Sequence, residues 1–280
     1  MKSAKAIPVL MYHHVCPNPG LVTVSPEAFL EQMIALKQAG YRTITADDMG
    51  SFLDGNPLPQ KSVMITFDDG YLDNYVYAYP ILQQLGLHAI IFAVTGWIKD
   101  GPIRPNAGDS TGALPMCPDH QTCKAAIGAG FPDKVMMRWS EIAEMEQKGV
   151  METHSHTHSH VRWDEQFPEH AARLDALKAD LEQSSQAIQA KLRKKSRHLC
   201  WPWGRFDGDY QNIATALGFD MQYTVDPHVN DSHTSRQNIG RIVAKDRDGS
   251  WLTQRLWIYS RPWVASVYNR LKSRKALGHG

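Results

Sequence analysis

Gln84-Leu85-Gly86-Leu87-His88-Ala89-Ile90-Ile91-Phe92 passes from the end of a helical pattern, through one glycine, into a run of β-type residues. Gly86 suits the left-handed position just past a helix end, where a Cβ would be strained. The same junction recurs at Gln38-Ala-Gly40-Tyr-Arg-Thr-Ile-Thr45, at Gln147-Lys-Gly149-Val-Met-Glu-Thr153 and at Ala216-Leu-Gly218-Phe-Asp-Met-Gln-Tyr-Thr-Val225. A helix that closes on Gly and enters a strand at once is an αβ connection. Repeated along one chain, it predicts an α/β fold with alternating elements around a mainly parallel sheet.

Helix starts fit the same plan. Ser25 before Pro26 predicts an N-cap and first turn for a helix over Glu27 to Ala39, and Asp207 is placed to cap one running to Leu217. A long amphipathic stretch from Glu169 to Lys195 carries Leu174, Leu177, Leu181, Ile188 and Leu192 on one stripe, read as core packing. Two segments depart from the alternation. Residues 99–135 are rich in Gly and Pro with little periodicity and read as a long insertion loop over one face. From Gly249 onward there is no Asp or Glu, while Arg255, Arg261, Arg270, Lys272, Arg274 and Lys275 alternate with Trp251, Trp257, Tyr259, Trp263 and Tyr268. Such a segment suits either an anionic membrane surface or a helix packed by its Trp residues with solvated charges outside.

The bulk numbers are those of a globular chain of 280 residues, 42% hydrophobic and 21% charged, long enough for one large core. A net charge of +1 gives no global field for nucleic acid or another polyanion. The opening Met1-Lys-Ser-Ala-Lys leads into an apolar stretch too short for a signal-peptide core, and no apolar run approaches a membrane span. A cytoplasmic location is the resulting expectation, at the inner face of the membrane if the C-terminal segment binds lipid. Cys16, Cys117, Cys123 and Cys200 are scattered, which favours reduced thiols. A zinc knot from Cys117, His120 and Cys123 lacks a fourth ligand.

Chemistry concentrates in two places. Val63-Met-Ile-Thr-Phe67 is strand-like and ends in Asp68-Asp69-Gly70. Adjacent carboxylates repel and push one pKa up unless a cation sits between them. The second cluster, Glu152-Thr-His154-Ser-His156-Thr-His158-Ser-His160, follows the strand that starts near Gly149. His156 and His160 are four apart, so one helical turn would put both imidazoles on the same side; His154 and His158 share that spacing. In an α/β barrel, active-site groups gather at the C-terminal ends of strands. The Asp pair, the His cluster and Trp201-Pro-Trp-Gly204 each follow a strand and so fall on one rim. Two His and one Asp would leave a cation an open position for water, the mark of a catalytic site.

Thr66-Phe-Asp-Asp-Gly70 and Ser155-His-Thr-His-Ser-His160 resemble the first two motifs of the polysaccharide deacetylases, carbohydrate esterase family four. Val9-Leu-Met-Tyr-His-His14, Trp201-Pro-Trp-Gly204 and Asn238-Ile-Gly-Arg-Ile242 resemble motifs of the subgroup with an N-terminal Tyr-His motif, which includes the biofilm poly-N-acetylglucosamine deacetylases. The resemblance implies a distorted (β/α) barrel of about seven parallel strands over residues 1–250, with 99–135 as an insertion and 251–280 as a basic aromatic segment. It implies that Asp69, His156 and His160 hold a divalent metal, zinc first, with cobalt or nickel also accepted. Asp68 is then the general base, a backbone N–H near Trp203 helps stabilise the oxyanion, and His13, rather than His14, is the acid that protonates the departing amine. The family's third motif begins with an Arg, but Cys200 stands at that position; Arg241 is the expected substitute from another strand.

The implied activity is removal of acetyl from an N-acetylhexosamine. With no export signal and a basic, Trp-rich tail, a sugar on a membrane lipid carrier, used in cell-envelope or lipopolysaccharide modification, is the first expectation. An exopolysaccharide or a soluble amino sugar is the alternative substrate. A non-catalytic carbohydrate-binding protein on the same scaffold is the alternative class, and the intact Asp68, Asp69, His156 and His160 weigh against it.

Overall fold

The computed structural model describes residues 2–109 and 112–277, with side chains described as far as Leu271. Lys272, Arg274 and Lys275 of the basic segment therefore have side chains outside the described residues. Seven parallel strands form one curled sheet in the order Ile242–Val243, Val9–Tyr12, Ser62–Asp69, Ala89–Ala93, Met151–Ser155, His198–Cys200, Met221–Tyr223. Arg42–Thr43 pairs at the start of Ser62–Asp69, off this path. A single parallel bridge from Tyr223 to Ile239 brings the last strand to the segment that leads into Ile242–Val243, so the sheet curls almost into a ring. This is the distorted (β/α) barrel of seven parallel strands that the αβ junctions and the family resemblance pointed to.

The junction glycines do what their position asks. Gly40, Gly86, Gly149 and Gly218 have φ of 77°, 61°, 67° and 94°, each in the left-handed region that ends a helix without Cβ strain. Ser25 caps Pro26–Gln38 by accepting from the Ala28 N–H, and Asp207 caps Gly208–Ala216 by accepting from the Tyr210 N–H. The long helix runs His170–Leu192 and buries Leu177, Leu181 and Ile188, but its inner face also buries Asp180 and Ser184.

The barrel interior is apolar at one end and polar at the other. Ile7, Val9, Met64, Ile90, Phe92, Cys200, Met221 and Ile239 pack together, while Val63, Ile65 and Phe67 of the same strand as Met64 join the outer core under the helices. That alternation is the two-residue period of a pleated strand. The Gly249–Tyr259 helix buries Leu252, Leu256 and Ile258 in that outer core. Residues 99–135 differ from the expected loop: they hold a helix over His120–Gly128 and a short helical turn over Pro132–Lys134. The helix is capped by Asp119, which accepts from the Thr122 N–H, and it buries Cys123, so one short capped helix forms among the Pro and Gly residues. No helix among the described residues is long and apolar enough to cross a membrane.

Candidate active site

Strand register levels the rim of the candidate site. Asp69 pairs with Ala93 and Ala93 with Ser155, so the ends of three neighbouring strands lie side by side. Within a regular strand Asp68 and Asp69 would face opposite sides. Asp69 instead has φ of 71°, followed by Gly70 at 89°, and this left-handed pair of residues turns the Asp69 carboxylate back over the barrel mouth. A non-Gly residue there costs about 1–2 kcal/mol, and such strain collects at functional sites.

Asp68 points into the barrel and meets Arg241, which lies just before the Ile242–Val243 strand. The Arg241 guanidinium donates to Asp68 Oδ1 at 2.6 Å and Oδ2 at 2.8 Å, a two-pronged pair with both side chains buried. Its remaining donors go to the Thr224 carbonyl at 2.9 Å, Thr66 Oγ1 at 3.2 Å and Cys200 Sγ at 2.9 Å. The guanidinium therefore stands directly beside Cys200, the position where the family motif has its Arg. Burial alone would raise the Asp68 carboxyl, but Arg241 more than offsets it and holds the group well below the usual carboxylate range.

Asp69 Oδ1 lies 3.4 Å from His156 Nε2 and 3.5 Å from His160 Nε2, and it is buried with no hydrogen-bond partner among the described residues. The three side chains form a compact group of metal-type donors. His156 Nδ1 contacts the Cys200 carbonyl at 2.8 Å, so Nδ1 carries the proton and Nε2 presents a lone pair inward. Burial lowers His160 to about 4, the nearby Asp69 carboxylate offsetting part of that shift, so its ring is neutral at pH 7. Two ligands bound at about 2.1 Å in a tetrahedron are about 3.4 Å apart. The donor types, the unpaired oxygen and the spacing all fit a divalent cation.

The path by which His156 and His160 converge differs from the helical turn that their spacing predicted. Residues 156–162 form an irregular loop in which Thr157 and His160 have φ of 69° and 53°. The loop is pinned from the long helix: Asp180 accepts from the His158 N–H at 2.8 Å, the Ser159 N–H at 3.0 Å and the Ser159 hydroxyl. Asp180 belongs to a helix face read from sequence as packing alone. His154 and His158, equal candidates by spacing, are drawn elsewhere. His154 faces Ser196 and His198, and His158 Nδ1 contacts Thr95 Oγ1 at 2.9 Å.

His13 and His14 separate in the same way. His13 Nε2 is 3.8 Å from Asp68 Oδ2, and its backbone carbonyl is held by Asn74 Nδ2 at 2.7 Å. Asn74 opens a π-helical turn over Asn74–Ala78, a device common at functional sites. Burial lowers the His13 pKa, and the Asp68 and Asp69 carboxylates counter it in part. His14 turns away, fully buried, with Nδ1 2.6 Å from Asp73 Oδ2 and Nε2 3.1 Å from His120 Nδ1. This commits His120 to His14, and among the described residues Cys117, His120 and Cys123 do not form a metal-type group, in line with the reading of the cysteines as reduced thiols. All four Cys are free and buried, and the Cys117 and Cys123 thiols approach the Pro115 and Pro118 carbonyls. Nothing local in the sequence marks Asp73, Asn74 or His120 as neighbours of the rim, because the contacts span 59 to 106 residues.

Trp203, with φ of 53°, places its ring 4.1 Å from that of His160 and leaves 45% of its surface exposed, so it forms an aromatic wall beside the three donors.

Two carboxylates and two imidazoles at the C-terminal ends of its strands make this a parallel barrel with a metal-type centre. Residues 55–222 match the family model described as polysaccharide deacetylase, and the chain belongs to that family. YxkH of Bacillus subtilis is 28% identical over 232 residues, covering 81% of this chain and 66% of that protein. The poly-beta-1,6-N-acetyl-D-glucosamine N-deacetylase of Escherichia coli (strain K12) is 26% identical over 237 residues, 73% of this chain and 31% of its own length. The chain thus spans less than two thirds of these relatives. Among solved structures, IcaB from Ammonifex degensii superposes with a TM-score of 0.70 at 23% identity, covering 92% of this chain and 98% of that one, which shows a shared fold.

Proposed function

We propose that this protein is a metal-dependent N-deacetylase that hydrolyses the acetamido group of an N-acetylhexosamine. The observation that carries the proposal is the unpartnered Asp69 Oδ1 between two imidazole nitrogens, beside a second carboxylate held ionised by Arg241. Asp69, His156 and His160 would hold the metal. The chemistry supplied by a bound divalent cation is polarisation of the acetyl carbonyl and acidification of water. Asp68, fixed in orientation by the Arg241 fork, accepts the proton of the attacking water. His13 Nε2 lies 3.8 Å from Asp68 Oδ2, beyond direct hydrogen-bond distance, so the proton reaches it through a bridging water before His13 delivers it to the departing amine nitrogen. Its lowered pKa leaves it unprotonated at rest, so the proton given to the amine is the one removed from water. The backbone beside Trp203 supports the oxyanion, and the Trp203 ring supports the sugar face.

Acetate release from N-acetylglucosamine oligomers, with and without chelator, tests the proposal. Chelation and Asp69→Asn are each expected to abolish release, and His13→Ala to cost roughly 10²–10⁴-fold in turnover while metal content is retained. Release unaffected by chelator would refute the metal-dependent scheme, and wild-type turnover in His13→Ala would remove that residue from it.

A substrate presented at a membrane surface, such as an acetylated sugar on a lipid carrier, is a second reading favoured by one surface. Trp257 and Trp263 are 49% and 73% exposed, next to Val267 and Leu271, and the Arg261 guanidinium sits 4.5 Å over the Trp257 ring. Interfacial aromatic residues beside cations are suited to anionic lipid headgroups. Flotation with phosphatidylserine-containing vesicles is expected for the wild type and lost in Trp257→Ser/Trp263→Ser, which leaves the buried Leu252 and Leu256 in place. Equal flotation of both proteins would end this reading.

A further inference from the structure

A cavity of about 250 Å³ is lined by Arg162, Arg173, Trp203, Arg205 and Tyr210, and also by the carboxylates Asp164 and Asp207. Two of its donors are buried and unsatisfied: the Tyr210 hydroxyl and the Arg173 Nε–H have no hydrogen-bond partner among the described residues. Tyr210 is only 4% exposed and lines this cavity. Buried donors without acceptors are rare, and each calls for an explanation.

The acidic residues nearby do not supply the missing acceptors. Asp164 is engaged by Arg162 at 2.9 and 2.7 Å, and Arg162 also reaches Glu165. Asp207 accepts from the Tyr210 backbone N–H at 2.9 Å as a helix cap. Arg173 donates one Nη2–H to His170 Nδ1 at 3.0 Å, which leaves Nε and Nη1 uncommitted. The Arg205 guanidinium makes no hydrogen bond among the described residues. The Arg205 guanidinium, the Nε and Nη1 donors of Arg173, a phenol hydroxyl and an aromatic wall thus line one space, in which Asp164 is taken by Arg162 and Asp207 caps a helix. Guanidinium forks match the geometry of phosphate and carboxylate oxygens.

The geometry points to an oxyanion subsite formed by Arg173, Arg205 and Tyr210, which recognises an anionic substituent carried on, or next to, the acetylated sugar. Trp203 is common to both places: its ring lies 4.1 Å from that of His160 in the metal-type group, and it also lines the cavity. A substrate that stacks a sugar ring on Trp203 would set its acetamido group toward Asp69 and its anionic group toward Arg173. This deepens the deacetylase proposal by adding acidic glycans or sugar phosphates as the substrate class, and it rests on that proposal for the sugar beside the anion.

Binding of inorganic pyrophosphate to the metal-loaded protein, measured by calorimetry, tests the subsite without turnover. Arg173→Gln and Arg205→Gln should each weaken binding by roughly tenfold or more, and Tyr210→Phe, which keeps the ring packed on Trp163 and Trp201, by a few-fold. Asp69→Asn should leave pyrophosphate binding in place, which separates this site from anion binding at a metal. Wild-type affinity in all three subsite variants, or loss of binding in Asp69→Asn, would overturn the assignment. Displacement of pyrophosphate by N-acetylglucosamine 1-phosphate identifies a phosphate-bearing ligand, and displacement by glucuronate a carboxylate-bearing one; displacement by neither counts against the subsite. Pyrophosphate binding without acetate release from any acetylated sugar would sink the deacetylase proposal and leave the anion site standing, whereas acetate release without pyrophosphate binding would do the reverse.

Discussion

A buried arginine forked onto a buried carboxylate is the residue-scale feature that separates the two adjacent aspartates into two tasks. Asp68 receives two charge-assisted bonds from Arg241, while Asp69 Oδ1 has no hydrogen-bond partner among the described residues and faces two imidazoles. One residue is thereby kept ionised and oriented, and the other is left free for a cation. Sequence showed that Asp68 and Asp69 were a costly pair, and the family motifs suggested Arg241 for the place held by Cys200. Sequence could not show how the backbone turns at Asp69, because its left-handed φ depends on the register of the neighbouring strands. The fork also defines a test. Arg241→Lys keeps the charge but offers Asp68 a point donor in place of two parallel N–H groups, so the carboxylate loses its fixed direction. Turnover is expected to fall by roughly 10–100-fold with KM little changed, since orientation of the base matters at the transition state. A KM that rises while kcat stays at the wild-type value would instead make Arg241 a substrate-binding residue.

At the scale of elements, the site is assembled from strand ends, one strained loop and one helix that was read as packing. The αβ junctions were legible because Gly at a helix end has a local physical cause, and φ at Gly40, Gly86, Gly149 and Gly218 follows from it. The His156–His160 loop was not legible in the same way. An i, i+4 spacing is compatible with a helical turn, but Asp180 supplies acceptors for successive loop N–H groups and stabilises a different backbone. Asp180 was hidden within a leucine stripe because its partner lies on a separate element about twenty residues away, beyond any periodicity argument. Asp180→Asn keeps the size but replaces one acceptor oxygen with a donor that opposes the loop N–H groups. Metal affinity, measured by competition with a chromophoric chelator, should fall about 10–100-fold, the usual cost of losing a group that positions ligands. Unchanged affinity would mean that His160 holds its place without the helix.

For the molecule as a whole, stability is tied to pH by polar groups sealed between strands and helices. His154 sits on the Met151–Ser155 strand with Nδ1 2.9 Å from Ser196 Oγ and its ring 4.5 Å from His198. Glu152 lies 3.5 Å from its Nε2, and Lys194 adds positive charge nearby. Burial, reinforced by His198 and Lys194 and countered by Glu152, lowers the His154 pKa to about 3. The unfolded chain binds this proton below its ordinary value of about 6.5, whereas the folded chain stays neutral until far lower pH. Between those values the unfolded state holds more protons, so stability must drop as the pH falls. At pH 5 the contribution is about 2 kcal/mol of lost stability relative to pH 7. Urea unfolding with chelator present, so that metal release does not enter, should show wild type losing that much more stability than His154→Gln between pH 7 and pH 5. The glutamine amide retains a partner for Ser196 without a titrating ring. Parallel losses in the two proteins would mean that His154 takes up its proton in the folded barrel, and that the seal around this strand is looser than its packing implies.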